Sequence, residues 1–150
     1  MIEEHDDNEI VAISQGNLIE LEDVEDEVFS SKTLGDGIAF QLESDFICSP
    51  ANGILSTMFP TGHAFGVTTN EGLELLVHIG IDTVKLQGEG FDILAKQGEK
   101  VRAGQPIVKI GREKLQEKGY DLTTMLIFTN TNQEISLKKT GEVKVGEVLN

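Results

Sequence analysis

The sequence predicts an all-β fold: an antiparallel β-sandwich or β-barrel with a duplicated β motif and one or two short helical turns. Short apolar runs recur along the chain between Gly, Asn, Asp and Pro residues, and 16 glycines interrupt it at short intervals. Strong helical periodicity of apolar residues is nearly absent. Many short strands at this spacing are typical of sandwiches and barrels rather than of βαβ units.

The predicted strands coincide with the apolar runs, and turn-forming residues separate them. They cover residues 18–21, 37–42, 53–58, 64–68, 73–79, 84–87, 107–110, 125–129 and 143–149. Residues 91–95 and 114–118 are predicted to form short helical turns. Because aromatic residues are few and tryptophan is absent, the core is expected to be mainly aliphatic.

Two seven-residue segments resemble each other and suggest the duplication. Residues 101–107 read Val-Arg-Ala-Gly-Gln-Pro-Ile, and residues 143–149 read Val-Lys-Val-Gly-Glu-Val-Leu. Each segment begins with an apolar residue and a basic residue, and a turn glycine follows. The residues after the glycine are typical of a strand. Such an internal repeat predicts a β motif that occurs twice.

Acidic residues are concentrated near the start of the chain. The net charge is −14, and residues 1–30 contain eleven Asp and Glu but no Lys or Arg. Nucleic acids and anionic lipids attract proteins through Lys and Arg, so this distribution argues against both. It suits a basic protein partner, or it serves solubility alone. Residues 1–9 are expected to form a flexible acidic tail, and residues 10–150 a single domain.

The cysteine content and the hydropathy pattern favour a cytoplasmic protein. Cys48 is the only cysteine, which excludes an internal disulfide and fits a reducing compartment. We expect Cys48 to be a small buried apolar residue. No apolar run approaches the roughly 20 residues that span a bilayer, and the acidic first residues do not resemble a signal peptide. No membrane insertion is therefore expected.

Two histidines in strand-like segments are the main candidates for chemistry. On a strand, side chains alternate between faces, so His78 shares a face with Leu76 and Gly80. A ring nitrogen that donates to the Gly80 carbonyl would leave the other with a free lone pair, as a nucleophile or metal ligand requires. Thr61 precedes His63 by two positions, so its hydroxyl can orient that ring. Two close imidazoles could bind zinc or share a phosphoryl group, whereas a lone histidine could be a hydrogen-bonded core residue.

The residues around both histidines match a known pattern. Residues 72–84 read Gly-Leu-Glu-Leu-Leu-Val-His-Ile-Gly-Ile-Asp-Thr-Val, and residues 61–65 read Thr-Gly-His-Ala-Phe. The longer run resembles, position by position, the phosphohistidine signature of the glucose-type enzyme IIA domain of the bacterial phosphoenolpyruvate-dependent sugar phosphotransferase system. The shorter run is similar to that family's other histidine segment. Residues 23–29, Lys32 and residues 35–39 resemble the family's N-terminal segment, and residues 85–91 and 98–101 continue the match. The resemblance covers roughly residues 10–149.

The resemblance implies a phosphoryl carrier in an antiparallel β-sandwich. His78 would take a phosphoryl group from the phosphocarrier protein HPr and pass it to a cysteine of a cognate enzyme IIB domain, which works with a IIC domain in sugar uptake. His63 would stabilise the phosphoryl group with a hydrogen bond, and Thr61 would hold His63. The Gly80 carbonyl would orient His78. This relay requires no cofactor.

The resemblance also implies a docking surface for HPr and IIB. Asp26 and Asp82 would flank the site and meet basic groups of the partner proteins. An apolar ring around the site would contact both partners; it comprises Val28, Phe29, Phe59, Leu76 and Val84.

Two other interpretations are left open. His78 and Asp82 have the His-x-x-x-Asp spacing of a ligand pair in zinc metallopeptidases with a related β fold. Catalytic zinc usually has three protein ligands, however, and no histidine follows His78. The other interpretation is a non-catalytic regulatory module, since unphosphorylated members of the resembled family bind permeases and kinases, with zinc bridging the pair that corresponds to His63 and His78.

Overall fold

The computed structural model describes residues 4–131 and 136–150. Within those residues the chain is mainly antiparallel β-sheet, as predicted. Its strands are β1 (Gly16–Glu20), β2 (Asp36–Leu42), β3 (Phe46–Cys48), β4 (Gly53–Met58), β5 (Ala64–Thr69), β6 (Glu74–His78), β7 (Phe91–Ile93), β8 (Lys100–Val101), β9 (Pro106–Ile110), β10 (Thr124–Phe128) and β11 (Gly141–Val143). The helices are α1 (Glu27–Ser30) and α2 (Arg112–Glu117), and 3-10 turns span Leu21–Asp23 and Thr83–Leu86. None of the described helices is long and apolar enough to cross a membrane.

The strands form one large and one small sheet. The eight-stranded sheet has the order β11-β1-β2-β10-β6-β5-β4-β8, and the three-stranded sheet has the order β3-β9-β7. The paired strands are antiparallel to each other. Strands β5 and β6, which carry the two histidine segments, lie beside each other in the middle of the large sheet.

The centre of the large sheet is buried on both faces. Leu126 and Phe128 of β10 belong to the main core, which the large sheet shares with residues of the small sheet. Met125 and Ile127 of the same strand lie in a second apolar cluster that residues 21–29 cover. A strand covered on both faces reads as a continuous apolar run, as β10 does. The second cluster holds the α1 segment over the sheet, beside the end of β6.

Cys48 lies in the core, as predicted. Its side chain is buried, and burial raises the pKa of the thiol to about 12. The thiol therefore stays protonated at neutral pH and does not act as a thiolate nucleophile.

Two predicted elements have the wrong type. Residues 84–87, predicted as a strand, belong mostly to the 3-10 turn Thr83–Leu86, because Asp82 and Gln87 at its two ends have left-handed backbones with φ of 58° and 51°. Residues 91–95, predicted as a helical turn, begin with strand β7, which pairs with β9. The helical turn predicted at residues 114–118 is confirmed as part of α2.

The duplicated segments adopt the same turn, although the C-terminal copy forms less strand than predicted. Only Val143 of residues 143–149 lies in β11, and Val148 makes an isolated bridge to Val11. Gly104 and Gly146 occupy equivalent positions, with φ of 86° and 82°. The matching backbone bonds are Gln105 N to Arg102 O at 2.9 Å and Glu147 N to Lys144 O at 3.0 Å.

The start of the chain contacts the body of the fold. Residues 1–3 of the predicted tail lie outside the described residues. The Asn52 side-chain amide donates to the backbone oxygen of His5 at 2.7 Å and to Asp7 Oδ1 at 3.2 Å. The flexibility of residues 1–9, and the division into a tail and a domain of residues 10–150, stay predictions.

Candidate functional site

His78 is the last residue of β6 and lies in the middle of the large sheet. Its backbone pairs with Ala64 of β5 on one side and with Met125 of β10 on the other. Val77 points into the main core, whereas Leu76 and His78 are only partly buried, so they lie on the opposite face. The alternation predicted from the strand pattern is therefore confirmed.

The Gly80 carbonyl fixes the orientation of the His78 ring. Nδ1 of His78 lies 2.8 Å from the Gly80 oxygen, and because a carbonyl can only accept, Nδ1 carries the proton. Nε2 of His78 then has the free lone pair. Gly80 has a φ of +78°, and an added Cβ would lie 2.5 Å from Cγ2 of Thr83, so this position requires glycine.

His63 follows a tight turn at the end of β4. Gly62 has a φ of +76°, and its N–H donates to the Phe59 oxygen at 2.8 Å. Thr61 Oγ1 lies 2.5 Å from Nδ1 of His63, as the spacing of two positions predicted. The backbone oxygen of His63 accepts from the N–H of Ile79 at 2.7 Å. This last bond joins the two histidine segments directly.

The two imidazoles lie together at the centre of the site. Their ring centroids are 5.3 Å apart, and the ring planes are nearly perpendicular, at 81°. Phe29 packs against His78 with a centroid distance of 5.0 Å, and Phe59 packs edge-on against His63 at 5.3 Å. Each imidazole is therefore held by one hydrogen bond at Nδ1, by one phenylalanine ring and by the other imidazole.

Burial keeps both histidines neutral at pH 7. His63 is only 5% exposed, and burial lowers its pKa below the ordinary 6.5. Burial also lowers the pKa of His78, and the nearby His63 lowers it further. The hydrogen bond to Gly80 and the carboxylates of Asp26 and Asp82 act in the opposite direction. A neutral imidazole is the form that has a lone pair for attack.

These lowered pKa values predict an acid sensitivity of the fold. Below the unfolded-state pKa of about 6.5, the unfolded chain binds protons that the buried histidines do not. Stability is therefore fully present above that pH and falls as the pH drops through 6.5 towards the folded-state pKa values. Urea midpoints measured from pH 8 to pH 5 should fall more steeply in the wild type than in His78→Gln. Equal slopes in the two proteins would contradict this prediction.

The predicted docking residues differ in their exposure. Val28 of α1 and Val84 of the second 3-10 turn are 51% and 53% exposed, and Phe59 is 39% exposed. Leu76 is partly buried beside them. Phe29 is only 6% exposed, because it packs between the second apolar cluster and the His78 ring. In the free protein Phe29 thus supports His78 rather than presenting a surface.

Both predicted acidic residues lie near His78, in positions set by local structure. Asp26 is the N-cap residue of α1, and its Oδ1 accepts from the backbone N–H of Val28 at 3.0 Å. Asp82 is exposed, and its Oδ2 is 4.0 Å from Nζ of Lys85. Both carboxylates raise the pKa of His78, which places negative charge at the edge of the site.

Thr83 also contributes to the geometry of the site, although no role was assigned to it from the sequence. Thr83 is fully buried, and its Oγ1 donates to the backbone oxygen of Ile79 at 2.5 Å. Thr83 belongs to the run of residues 72–84 that resembles the phosphohistidine signature. Its contact could not be predicted, because it depends on how the loop after β6 turns.

The site does not support the metallopeptidase interpretation. His63 and His78 offer two ring nitrogens, one fewer than the three protein ligands usual for catalytic zinc. Over residues 4–131 and 136–150, no group of three or more His, Cys, Asp or Glu side chains could hold a metal ion.

Comparisons with known proteins agree with the site. The family model described as "phosphoenolpyruvate-dependent sugar phosphotransferase system, EIIA 1" matches residues 8–134. The glucose-specific EIIA component of Mycoplasma capricolum is 41% identical over 141 residues, which cover 93% of this chain and 92% of the relative. The glucose-specific EIIA component of Haemophilus influenzae is also 41% identical, with 93% and 84% covered.

Longer relatives contain a matching part. The glucose-specific EIICBA component of Staphylococcus carnosus is 38% identical over 139 residues, which are 92% of this chain but 21% of the relative. The chain thus spans about a fifth of the length of such relatives.

A solved structure shows the same fold. Glucose permease IIA from Mycoplasma capricolum superposes with a TM-score of 0.89 at 41% identity, and the match covers 94% of this chain and 92% of that one. The antiparallel β fold, the family model and the relatives of similar length agree with one another. The chain belongs to the EIIA 1 family of the phosphoenolpyruvate-dependent sugar phosphotransferase system, as its two histidine segments predicted.

Proposed function

We propose that this chain is a phosphoryl carrier in sugar uptake, which receives a phosphoryl group from HPr on Nε2 of His78 and passes it to a cysteine of a cognate IIB domain. The observation that carries this proposal is the hydrogen bond of 2.8 Å from His78 Nδ1 to the Gly80 oxygen, since it makes Nε2 the nucleophilic nitrogen. The partly buried ring lies 5.3 Å from another imidazole, at His63. Membership of the EIIA 1 family supports the same assignment.

In the first transfer, the lone pair on His78 Nε2 attacks the phosphorus of the phosphohistidine in HPr. The new N–P bond forms while the N–P bond in HPr breaks, and that electron pair remains on the donor nitrogen. Such a transfer depends on in-line positioning and on charge stabilisation more than on acid or base catalysis. The Gly80 carbonyl supplies the positioning of the nucleophile.

His63 stabilises the phosphoryl group while it is transferred from His78 to the IIB cysteine. When Thr61 donates its hydroxyl proton to His63 Nδ1, the proton of the neutral ring lies on Nε2. That N–H can donate to a phosphoryl oxygen. Thr61 is therefore a positioning residue, whereas His63 contacts the transferred group.

The surface around the histidines suits a basic partner with an apolar contact area. Val28, Phe59 and Val84 are exposed and apolar. Asp26 and Asp82 disfavour free phosphate near the site, yet they can pair with cations that a docked protein brings. HPr and IIB are the partners that fit this surface, with IIC as the membrane domain served by IIB. The proposed location is the cytoplasm, because HPr, the phosphoryl donor, and IIB, the phosphoryl acceptor, are both reached from there.

The relay itself needs no cofactor. The unphosphorylated His63 and His78 pair could supply two nitrogen ligands to zinc, with the remaining ligands provided by a bound permease or kinase. Such regulatory binding would use the same surface as HPr, and the two roles would alternate with the phosphorylation state.

The proposal is tested by incubating the chain with phosphoenolpyruvate, enzyme I and HPr. A single phosphoryl group should appear on the chain, and its linkage should be labile in acid and stable in alkali, as a phosphohistidine is. Addition of a IIB domain from a related permease should remove it. A chain that stays unlabelled beside active HPr would refute the proposed function.

A further inference from the structure

The loop after β6 is held by hydrogen bonds at successive peptide groups. The N–H of Ile79 donates to the His63 oxygen at 2.7 Å, and the oxygen of Ile79 accepts from Thr83 Oγ1 at 2.5 Å. The N–H of Ile81 donates to the Asp121 oxygen at 2.9 Å. Of these bonds, only the one from Thr83 comes from a side chain. A point substitution can therefore remove it without changing the backbone.

The Thr83 side chain contacts the Ile79–Gly80 peptide in two ways. Its hydroxyl binds the Ile79 oxygen, and its Cγ2 packs against Gly80 so closely that a Cβ added there would lie only 2.5 Å away. Thr83 is fully buried, so neither the hydroxyl nor the Ile79 oxygen has water as an alternative partner. Rotation of this peptide would change the backbone angles of Gly80, and with them the direction of the Gly80 carbonyl.

We propose that Thr83 is a positioning residue for His78. Its hydroxyl holds the Ile79–Gly80 peptide so that the Gly80 carbonyl accepts the hydrogen bond from His78 Nδ1–H and Nε2 stays deprotonated. Its importance for phosphoryl transfer rests on the proposed function. Its effect on the His78 tautomer does not, because that tautomer exists in the unphosphorylated protein.

Two variants distinguish the effect of the Thr83 hydroxyl from the effect of its methyl group. Thr83→Val removes the hydroxyl at nearly constant size, and Thr83→Ser retains it. The ¹⁵N chemical shifts of the His78 ring, measured at pH 8 in the unphosphorylated proteins, report which nitrogen carries the proton. We expect the wild type and Thr83→Ser to have the proton on Nδ1. In Thr83→Val we expect a mixture of tautomers and an initial rate of phosphorylation by HPr at least tenfold lower.

A control variant removes a different buried hydroxyl. Ser49 donates from Oγ to the Ala51 oxygen at 2.7 Å, and Ser49→Ala should lose comparable stability while keeping the wild-type tautomer. The proposal would be overturned if His78 in Thr83→Val kept the wild-type tautomer. It would also be overturned if Ser49→Ala produced the mixture of His78 tautomers that is expected in Thr83→Val. If Thr83→Val does not fold, the His78 tautomer in Thr83→Ser decides. A proton on Nδ1 in that variant supports the role of the hydroxyl, and a mixture of tautomers refutes it. If HPr does not label the wild type, the proposed function fails, and the tautomers still decide the role of Thr83.

Discussion

Replacing His78 with Gln is expected to abolish phosphorylation of this chain by HPr. Gln can still donate from its amide to the Gly80 oxygen, but it has no nitrogen lone pair available for attack. Loss of the nucleophile should lower the initial rate of labelling by about 10³-fold or more. The measurement is transfer of radioactive phosphate from phosphoenolpyruvate through enzyme I and HPr, followed on denaturing gels at alkaline pH.

The chain offers a matched control for this substitution. His5 lies in the N-terminal segment, where its backbone oxygen binds Asn52, and its ring has no place in the site. His5→Gln should accept phosphate at the wild-type rate. Labelling of His78→Gln at a normal rate would show that another residue carries the phosphoryl group. A circular-dichroism spectrum and a urea midpoint for each variant separate loss of chemistry from loss of fold.

Much of the fold could be predicted because strands leave a strong local pattern. The run that forms β4 was predicted with its observed bounds, since glycine and proline near its ends limit it. The 3-10 turn Thr83–Leu86 was mistaken for a strand because its apolar residues do not reveal the left-handed backbone of Asp82 and Gln87. Strand β7 was mistaken for a helical turn because its pairing with β9 is a tertiary contact.

The site was predictable in its chemistry but not in all of its supports. The spacing of Thr61 from His63 and of Gly80 from His78 places each partner within reach of a ring, and both contacts are present. The approach of the two rings depends on the pairing of β5 with β6, which was not visible in either segment alone. Phe29 lies about fifty residues before His78, so its packing against that ring could not follow from local sequence.

The proposed carrier role requires the site to keep a phosphoryl group away from water, and the nearby carboxylates of Asp26 and Asp82 and the partly buried His78 ring fit that requirement. The pKa of His78 is lowered mainly by burial, which also limits the access of water to the ring. Exposed apolar residues around the site, such as Val28 and Val84, can exclude water further once a partner covers them. In the proposed relay, docking would therefore select the donor and the acceptor, and transfer would proceed inside the complex.

His63→Gln is expected to accept phosphate from HPr at close to the normal rate but to deliver it to IIB about 10²–10³-fold more slowly. Acceptance requires attack by the neutral His78 ring, whose free lone pair on Nε2 is set by the hydrogen bond from Nδ1 to the Gly80 oxygen and not by His63. Delivery requires attack by an anionic thiolate on an already anionic phosphoryl group. Delivery therefore depends more than acceptance does on a hydrogen-bond donor, such as the His63 N–H, that offsets the negative charge. The two half-reactions should therefore respond differently to loss of the His63 N–H.

The two half-reactions can be measured separately. The variant is first labelled through HPr and purified, and the loss of label is then followed after addition of IIB. Thr61→Val should slow the same step to a smaller extent, because it removes only the hydroxyl that holds the His63 ring. Normal delivery by His63→Gln would remove the proposed role of His63. Equal losses in acceptance and delivery would instead show that His63 maintains the geometry of His78, because a hydrogen bond to the transferred group would act mainly on the attack by the thiolate.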